Sequence, residues 1–180
     1  NGQENGWVGY KEFDVIGPAS ALPYVVTGSS SNGVYTVSSS DLLQTHLGSM
    51  DNAINTYAAG VIGTLTDGNY GAASSDGTYA IANGSVTYLL NTTYYPAGFD
   101  ISEINTYSGW NDLGRVNQSY TVSFRKVGSA TFGGNITVNY VASNTQNQVN
   151  IANLGLTGVD ALRFTFPQQQ NNGVGYKEID

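Results

Sequence analysis

The side chains best suited to hold a small polar ligand are aromatic rings that lie close to amide and charged groups. Trp110 is closely followed by an amide, a carboxylate and a guanidinium. An indole stacks on the apolar face of a sugar ring, while planar polar groups hydrogen-bond the sugar hydroxyls. Further tyrosines lie in stretches rich in turn residues. The candidate carbohydrate-binding residues are Trp110, Asn111, Asp112, Arg115, Tyr70, Tyr94 and Tyr95.

Catalytic chemistry has little support in the sequence, and we predict no catalytic residues. His46 is the single histidine, and no Gly-x-Ser-x-Gly turn is present to seat a nucleophilic serine beside it. A zinc centre built on several histidines or cysteines is excluded as well. A carboxylate pair for glycoside hydrolysis stays an open alternative, but most acidic residues sit at turns, where aspartate hydrogen-bonds the backbone.

Composition excludes several other classes of protein. The 180-residue chain has a net charge of −7, and charged residues make up 11% of it, against about 25% in an average globular protein. Six scattered cations do not form the basic surface that nucleic acid requires. No apolar run approaches the roughly 20 residues that cross a bilayer, and the chain lacks cysteine. Its uncharged polar residues are typical of extracellular or cell-surface proteins without an organic cofactor.

The dominant hydrophobic period is two residues, which predicts half-buried β-strands separated by glycine-rich turns. One short helix is predicted at 40–44 with Ser40 as its cap, and residues 50–62 are open between a helical turn and an irregular loop. Alternation also predicts that Arg163 and Lys177 point outward. Together these patterns predict an antiparallel β-sandwich or barrel. The predicted strand segments are 85–90, 101–107, 120–124, 135–140, 149–152 and 162–166.

A repeat links the two ends of the chain, because Val8–Asp14 reappears almost unchanged as Val174–Asp180. We therefore divide the chain into residues 1–17, an extra copy of the terminal strand, and residues 18–180, the domain itself. The extra copy is either left over from a preceding unit of a tandem array or a segment that pairs with a neighbouring molecule. The candidate self-association residues are Trp7, Val8, Tyr10 and Phe13.

Several motifs, in their order along the chain, resemble successive strands of galactose-binding-like jelly rolls. These are Leu65–Gly71, Ile104–Trp110, Gly114-Arg115, Tyr120–Phe124 and the closing Gly175–Asp180. The discoidin (coagulation factor 5/8 type C) domains and many carbohydrate-binding modules belong to this group, and similar modules occur in large bacterial surface and exported proteins. The resemblance covers roughly residues 60–180. It implies an all-β fold, an antiparallel β-sandwich of jelly-roll type.

The resemblance also implies a structural calcium ion and a second interpretation of two candidate residues. In such domains an Asp-Gly turn and a glutamate of the last strand hold calcium, and the matching residues here are Asp67 and Glu178, with Glu12 as its duplicate. The alternative is that Asp67 only shapes its turn and Glu178 only pairs with a lysine. Likewise, the matching Trp110 and Arg115 would be framework residues rather than ligand contacts.

Two functional hypotheses follow, and both are non-catalytic. The first is an extracellular structural or adhesive module that associates with copies of itself, through the duplicated strand, into a fibre or surface array. The second is a carbohydrate-binding module of a larger secreted protein. Neither involves nucleic acid or membrane insertion.

Overall fold

The computed structural model describes residues 24–73 and 75–180, which form β-strands, one short helix and three 3-10 turns. Each strand pairing in this part of the chain is antiparallel. The strands are β1 (Val25–Ser31), β2 (Leu47–Thr56), β3 (Tyr79–Leu90), β4 (Phe99–Ile101), β5 (Ile104–Gly109), β6 (Gln118–Lys126), β7 (Gly133–Tyr140), β8 (Gln146–Ala152), β9 (Leu156–Phe166) and β10 (Val174–Ile179). The helix is α1 (Leu42–Thr45), and the 3-10 turns are Ile62–Thr66, Leu113–Arg115 and Gln170–Asn172.

The strands form a galactose-binding-like β-sandwich of jelly-roll type. They follow the hydrogen-bonded order β1-β8-β5-β10-β3-β9-β6-β7, with β2 also paired to β3 and β4 to β9. Strand β3 joins the two halves of this order, because its beginning pairs with β10 and its remainder with β9. At Gly84, with φ of 115°, a Cβ would overlap the Ala53 carbonyl oxygen of β2, so glycine is required at this bend.

The core consists of the apolar side chains that alternation predicts to point inward. Tyr120 and Val122 of β6 pack with Phe164 and Phe166 of β9, and Tyr176 of β10 completes an aromatic cluster between them. All five side chains are at most 2% exposed. The predicted strands at 85–90, 120–124, 135–140, 149–152 and 162–166 are confirmed.

Three local predictions need correction. The helix begins one residue late and is capped by Asp41 instead of Ser40: Asp41 Oδ1 accepts from the Leu43 N–H at 2.7 Å, and Gln44 Oε1 accepts from the Asp41 N–H. The open stretch 50–62 continues β2 as far as Thr56. The segment 101–107 is two strands, because β4 pairs with β9 and β5 with β10 and β8.

Lys177 does not point outward as alternation predicts, and it is fully buried. The register of β10 against β5 shifts between Tyr176 and Glu178, and this irregularity breaks the two-residue alternation. Glu178 is fully buried too. Arg163 is exposed, as predicted.

The duplicated segment lies outside the described residues. Trp7, Val8, Tyr10, Glu12 and Phe13, together with the boundary between residues 17 and 18, therefore stay predictions. Within residues 24–73 and 75–180, no helix has the length and apolar character needed to span a membrane.

Candidate functional site

Two clusters of aromatic and polar side chains flank strand β2, one at each of its ends. Tyr57 follows its last residue and belongs to the first cluster, which we call the Trp110 cluster (Tyr57, Trp110 and Arg115). His46 precedes its first residue and belongs to the second, the His46 depression, which is lined by Thr45, His46, Leu47, Asn91, Tyr94 and Tyr95. Because β2 has ten residues, the clusters are about 30 Å apart.

In the Trp110 cluster, the indole is partly covered by the protein itself. A Cβ at Gly175 would come within 2.7 Å of Trp110 Cε3, so the bare backbone of β10 lies directly against the ring. The Arg115 guanidinium carbon is 5.7 Å from the ring centroid of Trp110 and 4.0 Å from that of Tyr57. Arg115 Nη2 also donates to the Asn171 carbonyl at 3.3 Å. These contacts favour the framework interpretation of Trp110 and Arg115.

Each polar neighbour of Trp110 has one side-chain oxygen bonded within the surrounding loops. Asn111 Oδ1 accepts from the backbone N–H and the hydroxyl of Ser75 at 3.2 and 3.3 Å. Asp112 caps the 3-10 turn Leu113–Arg115, with its Oδ1 accepting from the Gly114 N–H at 2.6 Å. Both side chains therefore shape the loop that follows β5.

Tyr70 lies in the interior, apart from the other candidate ligand residues. It is 4% exposed, its hydroxyl donates to Gln146 Oε1 at 2.9 Å, and its ring packs against those of Tyr35 and Tyr107. Burial raises its pKa well above the ordinary value, with the nearby Tyr35 and Tyr107 adding to the shift. A ring enclosed in this way presents no face to a ligand at the surface.

The His46 depression, by contrast, exposes its rings. It has a volume of about 320 Å³, and Tyr94 and Tyr95 are 86% and 47% exposed. The Tyr95 ring packs against the His46 ring at 5.2 Å between centroids and against the Phe99 ring at 5.0 Å. These two contacts hold the Tyr95 ring in place. Supported and exposed rings of this kind can stack on an apolar ligand face at little conformational cost.

Hydrogen bonds assign the tautomer of His46. The Thr45 hydroxyl donates to the Asp41 carbonyl at 2.6 Å and lies 2.7 Å from His46 Nδ1. Because the hydroxyl has only one proton, Nδ1 must donate in the second contact. The neutral imidazole then keeps its lone pair on Nε2, which has no hydrogen-bond partner in the described part of the chain.

Asn91 supplies the complementary group. Its Oδ1 accepts from the Thr93 N–H at 3.1 Å, while Nδ2 has no partner among the described residues. The depression therefore presents a hydrogen-bond acceptor at His46 Nε2 and hydrogen-bond donors at Asn91 Nδ2. The tyrosine hydroxyls can both donate and accept. Adjacent hydroxyls of a sugar need this mixture of donors and acceptors.

The pairing of β2 with β3 brings these residues together. Leu47 lies opposite Leu90, and the Asn91 N–H donates to the His46 carbonyl at 2.7 Å. Tyr94 and Tyr95 then follow Asn91 in the loop before β4. Sequence analysis identified the two tyrosines but considered His46 only for catalysis and missed Asn91. The Leu-Leu run that ends β3, followed by an asparagine and two tyrosines, was the available signal.

A second cavity, of about 250 Å³, lies beside α1 and is acidic at one side. Asp41 and Asp180 line it, and each has one buried carboxyl oxygen without a partner in the described residues, as does the nearby Glu178. Burial raises the pKa of Glu178 to about 8, with the carboxyl groups of Asp180 and Asp67 adding to the shift. Burial likewise raises the pKa of Asp180 to about 6 and that of Asp41 above its ordinary value.

The two described calcium candidates lie near each other and have protein partners. Asp67 Oδ1 accepts from the Asn69 N–H at 2.9 Å, and Glu178 Oε1 accepts from Gln44 Nε2 at 3.0 Å. Among residues 24–73 and 75–180, no group of three or more acidic, histidine or cysteine side chains is placed to hold a metal ion. Glu12 lies outside these residues, and calcium binding itself stays a prediction.

Comparison with known proteins shows the fold. No family model matches the chain, and no curated protein does. A solved structure of the CBM32-1, CBM32-2 and M60 catalytic domains of Clostridium perfringens ZmpB is similar, with a TM-score of 0.57 and 16% identity over 88% of this chain. A structure of the CBM32-1 and CBM32-2 domains of ZmpB gives a TM-score of 0.51, also at 16% identity, over 86% of this chain and 41% of that one.

The CBM32-1 domain of a family 31 glycoside hydrolase from Clostridium perfringens gives a TM-score of 0.52 at 10% identity, over 77% of this chain and 97% of that domain. The chain spans only 17% of the first ZmpB structure, so the likeness concerns one module of a longer protein. The structural neighbours are thus CBM32 carbohydrate-binding modules, and the shared architecture is the galactose-binding-like β-sandwich.

Proposed function

We propose that this domain is a non-catalytic carbohydrate-binding module and that it binds its glycan in the His46 depression. The observation that carries the proposal is the exposed pair Tyr94 and Tyr95, set beside free polar groups on His46 and Asn91. The fold shared with CBM32 modules supports the same conclusion. The Trp110 cluster has the residue types for binding, but its Arg115 guanidinium is stacked on Tyr57 and donates through Nη2 to the Asn171 carbonyl.

The chemistry of the depression fits a neutral sugar at the end of a glycan. An apolar ring face would stack on Tyr95, whose other side is supported by Phe99. Two neighbouring hydroxyls would pair with the acceptor on His46 and the donors on Asn91. No Asp, Glu, Lys or Arg side chain is among the described residues that line the depression, so a neutral hexose or N-acetylhexosamine suits it better than an acidic sugar.

The proposed module works outside the cell, attached to a longer protein that it directs to glycans. Support comes from the weakly charged composition and from the CBM32 neighbours, two of which are solved alongside further domains. In the part of the chain that the structure describes, no carboxylate lines the depression to act as an acid or nucleophile, which supports binding without hydrolysis.

The test is a glycan array followed by calorimetry on the best neutral glycan. We expect Tyr95→Ala to weaken binding at least about tenfold, equivalent to about 1.4 kcal/mol. Tyr57→Ala is the matched control, because Tyr57 is 49% exposed and Tyr95 47%, yet Tyr57 lies in the Trp110 cluster. An array without hits would contradict the proposed function. Loss of binding with Tyr57→Ala instead would move the site to the Trp110 cluster.

Self-association through residues 1–17 stays a separate prediction. Val8–Asp14 repeats the sequence of β10, a strand whose residues are all buried. However, a Cβ at Gly173 would overlap Tyr57, so Trp7, which matches Gly173, would not fit that position in an identical domain. Light scattering on chains with and without residues 1–17 tests the prediction, and unchanged assembly would contradict it.

A further inference from the structure

Lys177 is a buried lysine whose side-chain nitrogen is surrounded by backbone acceptors, although burial lowers its pKa to about 8. Its side chain is fully buried, which is rare for lysine without compensating partners. Its Nζ donates to the carbonyl oxygens of Tyr70 at 3.1 Å, of Ala72 at 2.8 Å, and of Asp76. An ammonium group has three N–H bonds, so each of them has a backbone acceptor.

The three acceptors belong to a single loop, residues 67–78, which joins the 3-10 turn Ile62–Thr66 to β3. Within such a loop the carbonyls cannot pair with a neighbouring strand, and buried carbonyls left unpaired are costly. Lys177 Nζ also lies 4.6 Å from the centroid of the Tyr70 ring. The Lys177 side chain thus binds two separate points of the loop, the carbonyls of Tyr70 and Asp76.

Several backbone carbonyls that converge on one point are also the ligands that calcium prefers. Here, however, the point of convergence is filled by the lysine nitrogen. Of the nearby carboxylates, Asp76 Oδ2 accepts from the Ala72 N–H at 2.9 Å and Asp67 Oδ1 from the Asn69 N–H at 2.9 Å, while Glu178 keeps one buried oxygen without a partner in the described residues. Calcium needs six to eight oxygens at about 2.3–2.6 Å, and these residues do not leave that set free.

Glu178, the next residue, lies near an earlier part of the same loop. Its carboxyl group is close to the backbone N–H groups of Gly68 and Asn69, and its Oε1 accepts from Gln44 Nε2 of α1 while Oε2 has no partner among the described residues. Adjacent side chains of β10 are therefore both directed at this loop, and Lys177 is the one that holds its carbonyls. The register shift at this point of β10 lets both side chains enter the interior.

We infer that the Lys177 ammonium group is the cation that organises the 67–78 loop, and that this loop folds without calcium. The resemblance to galactose-binding-like domains implies a calcium ion in this region. In this chain the ammonium group of Lys177 takes the place of that ion. This inference is independent of the proposed glycan binding, because it concerns a different loop.

Thermal unfolding of the full chain in EDTA and in 10 mM calcium chloride tests the inference directly. We expect the same Tm in both solutions to within about 1 °C. If the domain had a calcium site, a calcium concentration a hundredfold above its Kd would instead raise the Tm by roughly 5–10 °C for a domain of this size. Such a rise would overturn the inference.

Lys177→Met tests the role of the charge while keeping most of the side-chain volume. We expect the Tm to fall by on the order of 10 °C, because the carbonyls of Tyr70, Ala72 and Asp76 lose their shared donor. We also expect amide hydrogen exchange in residues 67–78 to become faster. Lys126→Met, at an exposed lysine on β6, is the matched control and should change neither measurement.

A Lys177→Met variant as stable as the parent would overturn the inference, as would unchanged exchange in the loop. Should the variant fail to fold, calorimetric titration of calcium into the unaltered chain decides the matter. No heat of binding supports the inference, and one calcium bound per chain contradicts it.

Discussion

Tyr57 and Tyr95 are exposed to nearly the same extent, at 49% and 47%, at opposite ends of strand β2. Tyr57 is stacked on a guanidinium that is itself held by a backbone carbonyl. Tyr95 is backed by His46 and Phe99 and faces a depression with unpaired polar atoms. Residue type and exposure therefore do not distinguish a binding surface from a structural one. The distinction lies in whether the face of the ring is covered by another side chain or opens on a depression.

The largest expected effect concerns the carboxyl groups beside α1, at the end of the molecule that contains His46. The pKa of Glu178 is raised from 4.5 to about 8, and that of Asp180 from 3.8 to about 6. A raised carboxyl pKa means that the folded state holds more protons than the unfolded chain. The contribution of these two groups to stability is therefore fully present below about pH 4 and is lost as the pH rises through about 6 for Asp180 and about 8 for Glu178. We expect a higher urea midpoint at pH 5 than at pH 8.5.

Glu178→Gln should flatten this pH dependence, because the amide stays neutral and can still accept from Gln44. Asp51→Asn, on the exposed face of β2, is the control and should keep the parent profile. Equal slopes for the parent and Glu178→Gln would show that Glu178 is not the group responsible.

Trp110→Ala should affect stability and leave glycan binding unchanged. Removing a large packed ring from the Trp110 cluster costs about 3 kcal/mol. Urea unfolding measures the loss, and calorimetry at a temperature where the variant is folded measures the binding. A folded variant that loses binding by tenfold or more would show that the two clusters are not separate in function.

Gly175→Ala should weaken the same cluster by a smaller amount. The added methyl group would come within 2.6 Å of the Gly109 carbonyl oxygen and 2.7 Å of Trp110 Cε3. Overpacking of this kind costs about 1–3 kcal/mol. Gly128→Ala is a poor control because of its positive φ, so Gly133→Ala, where a Cβ meets nothing within 4 Å, is the comparison. Similar urea midpoints for the two variants would contradict the close packing of Trp110.

Asn91→Asp should reduce glycan affinity about tenfold with little change in stability. The aspartate keeps the oxygen that accepts from Thr93 but loses the amide donors of Nδ2. Asn111→Asp is the matched change in the loop after β5, where the oxygen bonded to Ser75 is likewise kept. Calorimetry should separate the two variants, and equal affinities would exclude Asn91 from the site.

The sequence predicts the strands whose two faces differ in polarity. Tyr120 and Val122 in β6, or Phe164 and Phe166 in β9, alternate with polar residues and are buried as expected. Strand β2 was not recognised because it lies mostly exposed, and its small and polar residues carry no alternation. Lys177 was misplaced for a different reason: a register irregularity in β10 cannot be seen in a two-residue pattern.

The candidate site was predictable only in part. Tyr94 and Tyr95 stood out as adjacent rings in a turn-rich stretch, but their partner His46 is far from them in the sequence. Only the register of β2 against β3 brings His46 beside Asn91. Conversely, Trp110 and Arg115 have suitable side chains for a ligand, and the sequence does not reveal that Tyr57 and Gly175 already occupy them.

Strand β10 lies between β5 and β3, in the middle of the hydrogen-bonded order, although it is the last strand in the sequence. During translation, β10 is therefore synthesised after β3 and β5, the two strands that pair with it. Until then β3 and β5 lack their pairing with β10, and the 67–78 loop lacks both Lys177 and Glu178. The nascent domain must wait in an incomplete, association-prone state, so its dependence on chaperones should be greatest just before residues 174–179 emerge.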